Sequence, residues 1–193
     1  MDYNKERKVI VLNRKLSKLD ELVLDFIALL DDYVIVSGYV SIITGRSRAT
    51  EDIDLLVPRM DFNEFEILWK RLHENNFECL NTENIKSSYN LWQEHAIRFA
   101  RKGTGVPNME FKMIKNDIER YSFENKIRIP LKGKELWISP IEMQIAFKLS
   151  LGSEKDIEDA KHLYELFKDK IDKDELIKLI RELNVENEFK LIR

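Results

Sequence analysis

Apolar residues along this chain switch between two spacings, and the switches divide it into elements. Leu16, Leu19, Leu22, Leu24, Ile27 and Leu30 recur at helical intervals and predict an opening helix that ends near Asp31 or Asp32. The run "YVIVS" predicts a short buried strand that Gly38 breaks. "YVSIITG" then supplies two helical turns, ended by Gly45. "DIDLLV" predicts the next strand, with Pro58 stopping it. Phe62, Phe65, Leu68, Trp69 and Leu72 mark one face of a helix, and "FECL" follows as a short strand. Residues 82–92 favour neither period. "HAIRFAR" and "NMEFKMI" flank "KGTGVP" as a hairpin with a long loop, and "KIRIPL" and "ELWIS" flank "KGK" as a second hairpin.

From Ser139 the pattern turns wholly helical. Ser139 is the predicted N-cap and Pro140 the first residue of a helix ending at Gly152, and two amphipathic helices follow in "SEKDIEDAKHLYELF" and "DKDELIKLIREL". The predicted class is α/β (α+β): a mixed sheet flanked by helices over residues 1–138, with a helical C-terminal subdomain over residues 139–193.

Composition narrows the class further. With 193 residues, 44% hydrophobic and 35% charged, the chain can bury one substantial core, which excludes a disordered protein. A net charge of -3 argues against an extended nucleic-acid surface and leaves only local clusters such as "GRSR" to grip a phosphate. The single cysteine, Cys79, excludes an intramolecular disulfide and a cysteine-rich zinc site, and suits a small buried apolar role. Three histidines, His73, His95 and His162, sit at no metal or catalytic spacing. Trp69, Trp92 and Trp137 are assigned to packing. No apolar run approaches the roughly 20 residues of a membrane span, and the N-terminus lacks a long apolar stretch, so a cytoplasmic protein without a membrane partner is expected.

The candidate chemistry begins at Asp52 and Asp54. Strand alternation points both toward one face, with Ile53 and Leu55 toward the other. Two ionised carboxylates on one face repel each other; either water solvates them or a cation sits between them, and a hard, oxygen-only site suits Mg²⁺. Upstream, the order strand, Ser37, Gly38, helix puts backbone N–H groups where an anion could rest. Arg46 and Arg48 read either as solvated loop residues or as bidentate partners of a triphosphate.

In this order the residues resemble the nucleotidyltransferase superfamily, whose signature is a small-residue turn followed by a D-x-D or D-x-E strand. The spacing of Arg46, Arg48, Thr50, Asp52 and Asp54 is similar to the first motif of the AbiEii-type nucleotidyltransferases, known as toxins of bacterial and archaeal defence systems. Ser37 stands where the superfamily more often has glycine. The resemblance spans residues 34–167 and implies a third carboxylate on a later strand. Glu110 fits that place, with Met109 and Phe111 facing the core and Glu110 and Lys112 the opposite side, although a plain solvent-facing strand alternates in the same way. "FKLSLGSEKDIEDAKHL" is similar to the family's lysine-bearing helix followed by D-x-x-D. Lys148 lies on the apolar face of its helix, where it either meets an anion or snorkels to water. Asp156 and Asp159 complete D-x-x-D, and Asp156 also suits a capping box with Ser153.

The resemblance therefore implies two Mg²⁺ ions held by Asp52, Asp54 and Glu110. It implies an NTP contacted by Ser37, Gly38, Arg46, Arg48, Thr50 and Lys148, and a catalytic set of Asp52, Asp54, Glu110, Lys148 and Asp159. The expected reaction is transfer of a nucleoside monophosphate to an acceptor hydroxyl on RNA, protein or a small molecule, with a cognate antitoxin as a further partner. The alternative is a non-catalytic nucleotide-binding or interaction module on the same fold.

Overall fold

Strands and helices are interspersed as far as Ile138, and only helices follow. The computed structural model describes residues 1–193. Its first nine elements are β1 (Asp2–Asn4), β2 (Val9–Val11), α1 (Lys18–Ile27), β3 (Val34–Val36), α2 (Gly38–Ile43), β4 (Asp52–Val57), α3 (Phe62–Glu74), β5 (Phe77–Cys79) and α4 (Ile85–Glu94). There follow β6 (Ile97–Arg101), β7 (Asn108–Met113), α5 (Asp117–Glu124), β8 (Ile127–Leu131), β9 (Lys134–Ile138), α6 (Ile141–Leu151), α7 (Glu154–Phe167), α8 (Lys173–Glu182) and α9 (Glu186–Phe189). The chain forms two units. The first comprises Met1–Arg14, Val36–Arg48 and Asn125–Arg193; the second comprises Lys15–Ile35 and Ala49–Glu124.

The second unit carries strands in the order β3-β4-β7-β6-β5. β4 runs parallel to β7, β7 antiparallel to β6, and β6 antiparallel to β5. Aromatic rings fill its core. Trp92 of α4 stacks on Phe65 of α3 at 5.4 Å and lies 5.7 Å from Phe111 of β7, while Phe26 of α1 meets Phe77 edge-on at 5.0 Å. Each such ring, fully removed from water, contributes about 1.5–3 kcal/mol. Helix α3 starts where its caps dictate: the Asp61 carboxylate accepts from the Glu64 N–H and the Glu64 carboxylate from the Asp61 N–H. Residues 82–92, silent in the periodicity, belong largely to α4, capped by Asn84. Only Ser88 and Trp92 of that helix are buried, so one large ring anchors it and no apolar stripe shows. Helix α5 went unpredicted for the same reason, with Ser122 its single buried residue.

The first unit carries β1-β2-β8-β9. The β8–β9 hairpin closes through Lys132 and Gly133, both with positive φ (47° and 76°), the twist a two-residue hairpin turn requires. Strands β1 and β2 are three residues each and bury only Tyr3 and Ile10, too few for an alternation to register in the sequence. Helix α6 is buried almost all round, so α7, α8 and α9 pack against it as the centre of the helical run. Its start corrects the predicted cap. The helix begins at Ile141 with Pro140 as N-cap, and Ser139, one residue past β9, is drawn into the core with a hydroxyl that has no partner. Gly152 ends α6 in the left-handed conformation at φ 71°, as predicted. No helix is long and apolar enough to cross a membrane.

Candidate active site

In the second unit the parallel register of β4 and β7 sets Asp52 beside Asn108, Asp54 beside Glu110 and Leu56 beside Lys112. On the far side of β7, Arg98 of β6 stands opposite Glu110. One sheet face thus carries a row across three strands, Asp54–Glu110–Arg98, with Asp52 and Lys112 diagonal to it. Neighbouring strands lie about 4.8 Å apart, so side chains in such a row meet. Lys112 Nζ donates to Asp54 Oδ1 at 2.6 Å and lies 3.1 Å from Glu110 Oε2; Arg98 Nη2 donates to Glu110 Oε1 at 3.1 Å. Thr50 fixes the start of β4 by donating its hydroxyl to the Asp52 carbonyl at 2.9 Å. Beside Asp52, Asn108 donates its amide to the Glu51 carbonyl, while its Oδ1 is buried with no partner.

Burial pushes the Glu110 carboxyl above the usual carboxylate range. The adjoining Asp54 carboxyl pushes the same way, and Lys112 pulls against both. Burial works against the charge of Lys112, but Asp54 and Glu110 outweigh it and raise the lysine net. The acidic groups of this face offer oxygen donors only, which is the donor chemistry of a hard divalent ion. Asp54 and Glu110 fit such an ion as register neighbours with side chains 14% and 15% exposed. No three acidic, histidine or cysteine side chains come together as a metal-ligand group, however, and the ammonium of Lys112 bridges the two carboxylates instead.

The first unit holds a second charged cluster, centred on Asp159 of α7, whose side chain is fully buried. It accepts from Arg46 Nη1, from Arg48 Nε at 3.2 Å and Nη2 at 3.1 Å, and faces Lys148 Nζ of α6 at 3.1 Å. Lys148, 2% exposed, also donates to Asp156 Oδ1 at 2.5 Å, and Arg46 reaches Glu158 and the Lys155 carbonyl. Asp156 also lies in the first turn of α7, where its N–H donates to the hydroxyl of the N-cap Ser153. Burial raises the Asp159 carboxyl, but Arg46, Lys148 and Arg48 overcome that and leave it below the usual carboxylate range. His162, one turn along α7, is lowered by burial.

Helix α2 of the first unit begins at Ser37 and Gly38. Ser37 adopts φ 62°, ψ -136°, a backbone region that glycine occupies freely and other residues at a cost of about 1–3 kcal/mol. Serine here takes a glycine's conformation, and its hydroxyl does not cap the helix. Ser37→Gly is accordingly expected to stabilise the protein by about 1 kcal/mol net of the glycine's freer unfolded chain, raising Tm by about 2–4 °C in a calorimetric scan. An unchanged or lower Tm would contradict the strain.

Gly38 lies under the guanidinium of Arg48, so that a Cβ there would stand 2.0 Å from Nη2. Gly38→Ala is expected to displace Arg48 from Asp159 and cost about 1–3 kcal/mol. In an Arg48→Ala background the same substitution meets no obstacle and becomes neutral or stabilising, since alanine favours a helix over glycine by up to about 1 kcal/mol. Urea titrations of the four proteins in this cycle test the reversal of sign.

Of the residues singled out in the sequence, Thr50, Asp52, Asp54 and Glu110 thus cluster on β4 and β7, and Ser37, Gly38, Arg46, Arg48, Lys148 and Asp159 belong to the first unit. Arg98 escaped notice there. Its signal was the alternation of "HAIRFAR", which places it opposite the inward-facing Ile97 and Phe99.

No family model matches the chain, and no curated protein matches it. Solved structures do. An antigenic nucleotidyltransferase-like protein from Paracoccidioides brasiliensis is 18% identical over 91% of this chain and 94% of its own, with a TM-score of 0.52. The antibiotic-resistance factor ANT(2'')-Ia, whose solution structure is reported with substrate-regulated conformation dynamics, is 11% identical over 91% of this chain and 97% of its own, with a TM-score of 0.55. At such identities the likeness is one of fold. The chain has the nucleotidyltransferase fold, a mixed α/β arrangement with a helical C-terminal run, as its sequence predicts.

Proposed function

We propose that this protein is a metal-dependent nucleotidyltransferase that moves a nucleoside monophosphate from an NTP to an acceptor hydroxyl. The observation that carries the reading is the pairing of Asp54 with Glu110 in register on adjacent parallel strands, with Asp52 on the same face, in a chain of nucleotidyltransferase fold. Asp54 and Glu110 would hold Mg²⁺, with Asp52 two residues along β4 on the same face. Bound there, the ions supply charge stabilisation for in-line displacement at the α-phosphorus and lower the proton affinity of the acceptor hydroxyl.

The chain's own contribution is positional. Arg98 holds one oxygen of Glu110 and Lys112 meets the other; Thr50 secures the strand from which Asp52 and Asp54 project. In the first unit, Arg46, Arg48 and Lys148 are held together by Asp159, their charges met by one of the chain's own carboxylates. The order of Arg46, Arg48, Thr50, Asp52 and Asp54 supports the AbiEii-type variant, a defence toxin with a cognate antitoxin. The likeness to an antibiotic-resistance factor supports a small-molecule acceptor beside RNA and protein hydroxyls.

The test incubates the protein with each labelled NTP, Mg²⁺ and acceptors of the three classes. Label in an acceptor together with released pyrophosphate supports the reading, and its absence with every pair overturns it. A second reading, a non-catalytic nucleotide-binding module on the same fold, is favoured by one observation: Lys112 and Arg98 already neutralise the carboxylates. Calorimetry separates the two, because a module of that kind binds NTP equally well with Mg²⁺ and with EDTA.

A further inference from the structure

Lys112 has no part in the reaction proposed above, yet it is the cation that bridges the two carboxylates. Its ammonium touches Asp54 Oδ1 at 2.6 Å and Glu110 Oε2 at 3.1 Å, one oxygen from each register neighbour. The remaining oxygen of Glu110 belongs to Arg98. A divalent ion such as Mg²⁺ binds carboxylate oxygens at about 2.0–2.1 Å. An ion bound to the same two oxygens would claim the space in which Nζ lies, and the two like charges would repel, so ammonium and ion exclude one another. The lysine can leave. Its side chain is 34% exposed on a flexible four-carbon stem, whereas Asp54 and Glu110 are fixed by the ladder of β4 and β7.

We infer that Lys112 is a tethered counter-ion that occupies the divalent-ion position of the Asp54–Glu110 pair and swings out when the ion loads, so that metal binding is an exchange of one resident cation for another. The inference rests on the metal-dependent reading of the site. Such exchange keeps the face neutralised in the metal-free protein and sets a threshold for loading: the metal has to displace a charge-assisted contact and not merely fill a gap.

The test uses the intact wild-type protein first. Lysines are acetylated under limiting reagent in EDTA and in Mg²⁺, and each site is quantified by mass spectrometry against Lys178 of α8 as the reference. Lys112 is expected to become more reactive in Mg²⁺. Mn²⁺ titrations followed by electron paramagnetic resonance then compare wild type, Lys112→Met and Arg98→Met. Loss of Lys112 is expected to tighten binding roughly ten- to hundredfold, the equivalent of one hydrogen bond to a charged group. Loss of Arg98, which removes the same charge from Glu110 without freeing the bridging position, is expected to do less. If metal binds while Lys112 reactivity stays constant, or if the two variants tighten binding alike, the exchange is refuted and the metal-dependent reading stands. Absence of Mn²⁺ binding in all three proteins refutes both. The acetylation result decides the matter even if Lys112→Met fails to fold.

Discussion

Asp159→Ala is expected to destabilise the protein by about 3–5 kcal/mol, the scale of breaking a buried ion pair from one side. The side chain is fully buried and is shared by Arg46, Arg48 and Lys148. Its removal takes away the carboxylate shared by three cations whose own side chains are 15%, 10% and 2% exposed. Loss of any one cation leaves Asp159 paired with the other two, so single losses of those cations should cost less than loss of the hub. Urea denaturation measures the difference, and a cost under about 1 kcal/mol would show that the cluster is solvated in solution.

The dependence on pH has a definite sign. Three cations hold the folded Asp159 carboxyl below its ordinary value near 4. Its contribution is therefore complete above about pH 4 and fades as acid carries the solution down through the depressed folded value. The stability gap between wild type and Asp159→Asn should hold from neutral pH to about pH 4 and narrow only in more acidic solution.

Asp54→Ala is expected to lower kcat/KM for nucleotidyl transfer by about a thousandfold or more, while leaving the fold intact. That scale is the loss on removing one preorganised electrostatic contact at a reacting centre. Asp54 is the only carboxylate in register with Glu110, and its removal leaves Glu110 to Lys112 and Arg98 alone. Leu55 and Ile53, its neighbours along β4, are fully buried toward the opposite face, so the packing of the strand does not depend on the aspartate. Single-turnover transfer by the variant, compared with its melting temperature, checks both halves. Activity within tenfold of wild type would remove Asp54 from the catalytic set, and a collapse of Tm would make its role one of stability.

What the sequence made legible follows from range. Helices with a local cap and a broad apolar stripe, such as α3 with its Asp61–Glu64 box, announce themselves within a dozen residues. The face shared by Asp52 and Asp54, and the placement of Glu110 with Lys112, came from alternation alone. The register did not. Nothing local says that Asp54 pairs with Glu110 and not with Asn108, because a parallel pairing is set by the packing of the second unit as a whole. Helix α4, anchored by Trp92, and strands β1 and β2, with one inward residue each, lie below the resolution of any period. The gathering of Arg46 and Arg48 on Asp159, more than a hundred residues away, was equally hidden. Both arginines read either as solvated loop residues or as partners for a ligand's charge, and the carboxylate they meet is one of the chain's own.

The division of the chain also dictates an order of birth. On a ribosome, all residues of the second unit have been made once Glu124 is added, while the first unit still waits for Asn125 onward. Until then β2 has no β8 to lie against, and Tyr3 and Ile10 have no finished interior to enter. The segment Met1–Arg14 is made well before the strand it lies against, which makes it a stretch that a nascent-chain chaperone would be expected to shelter.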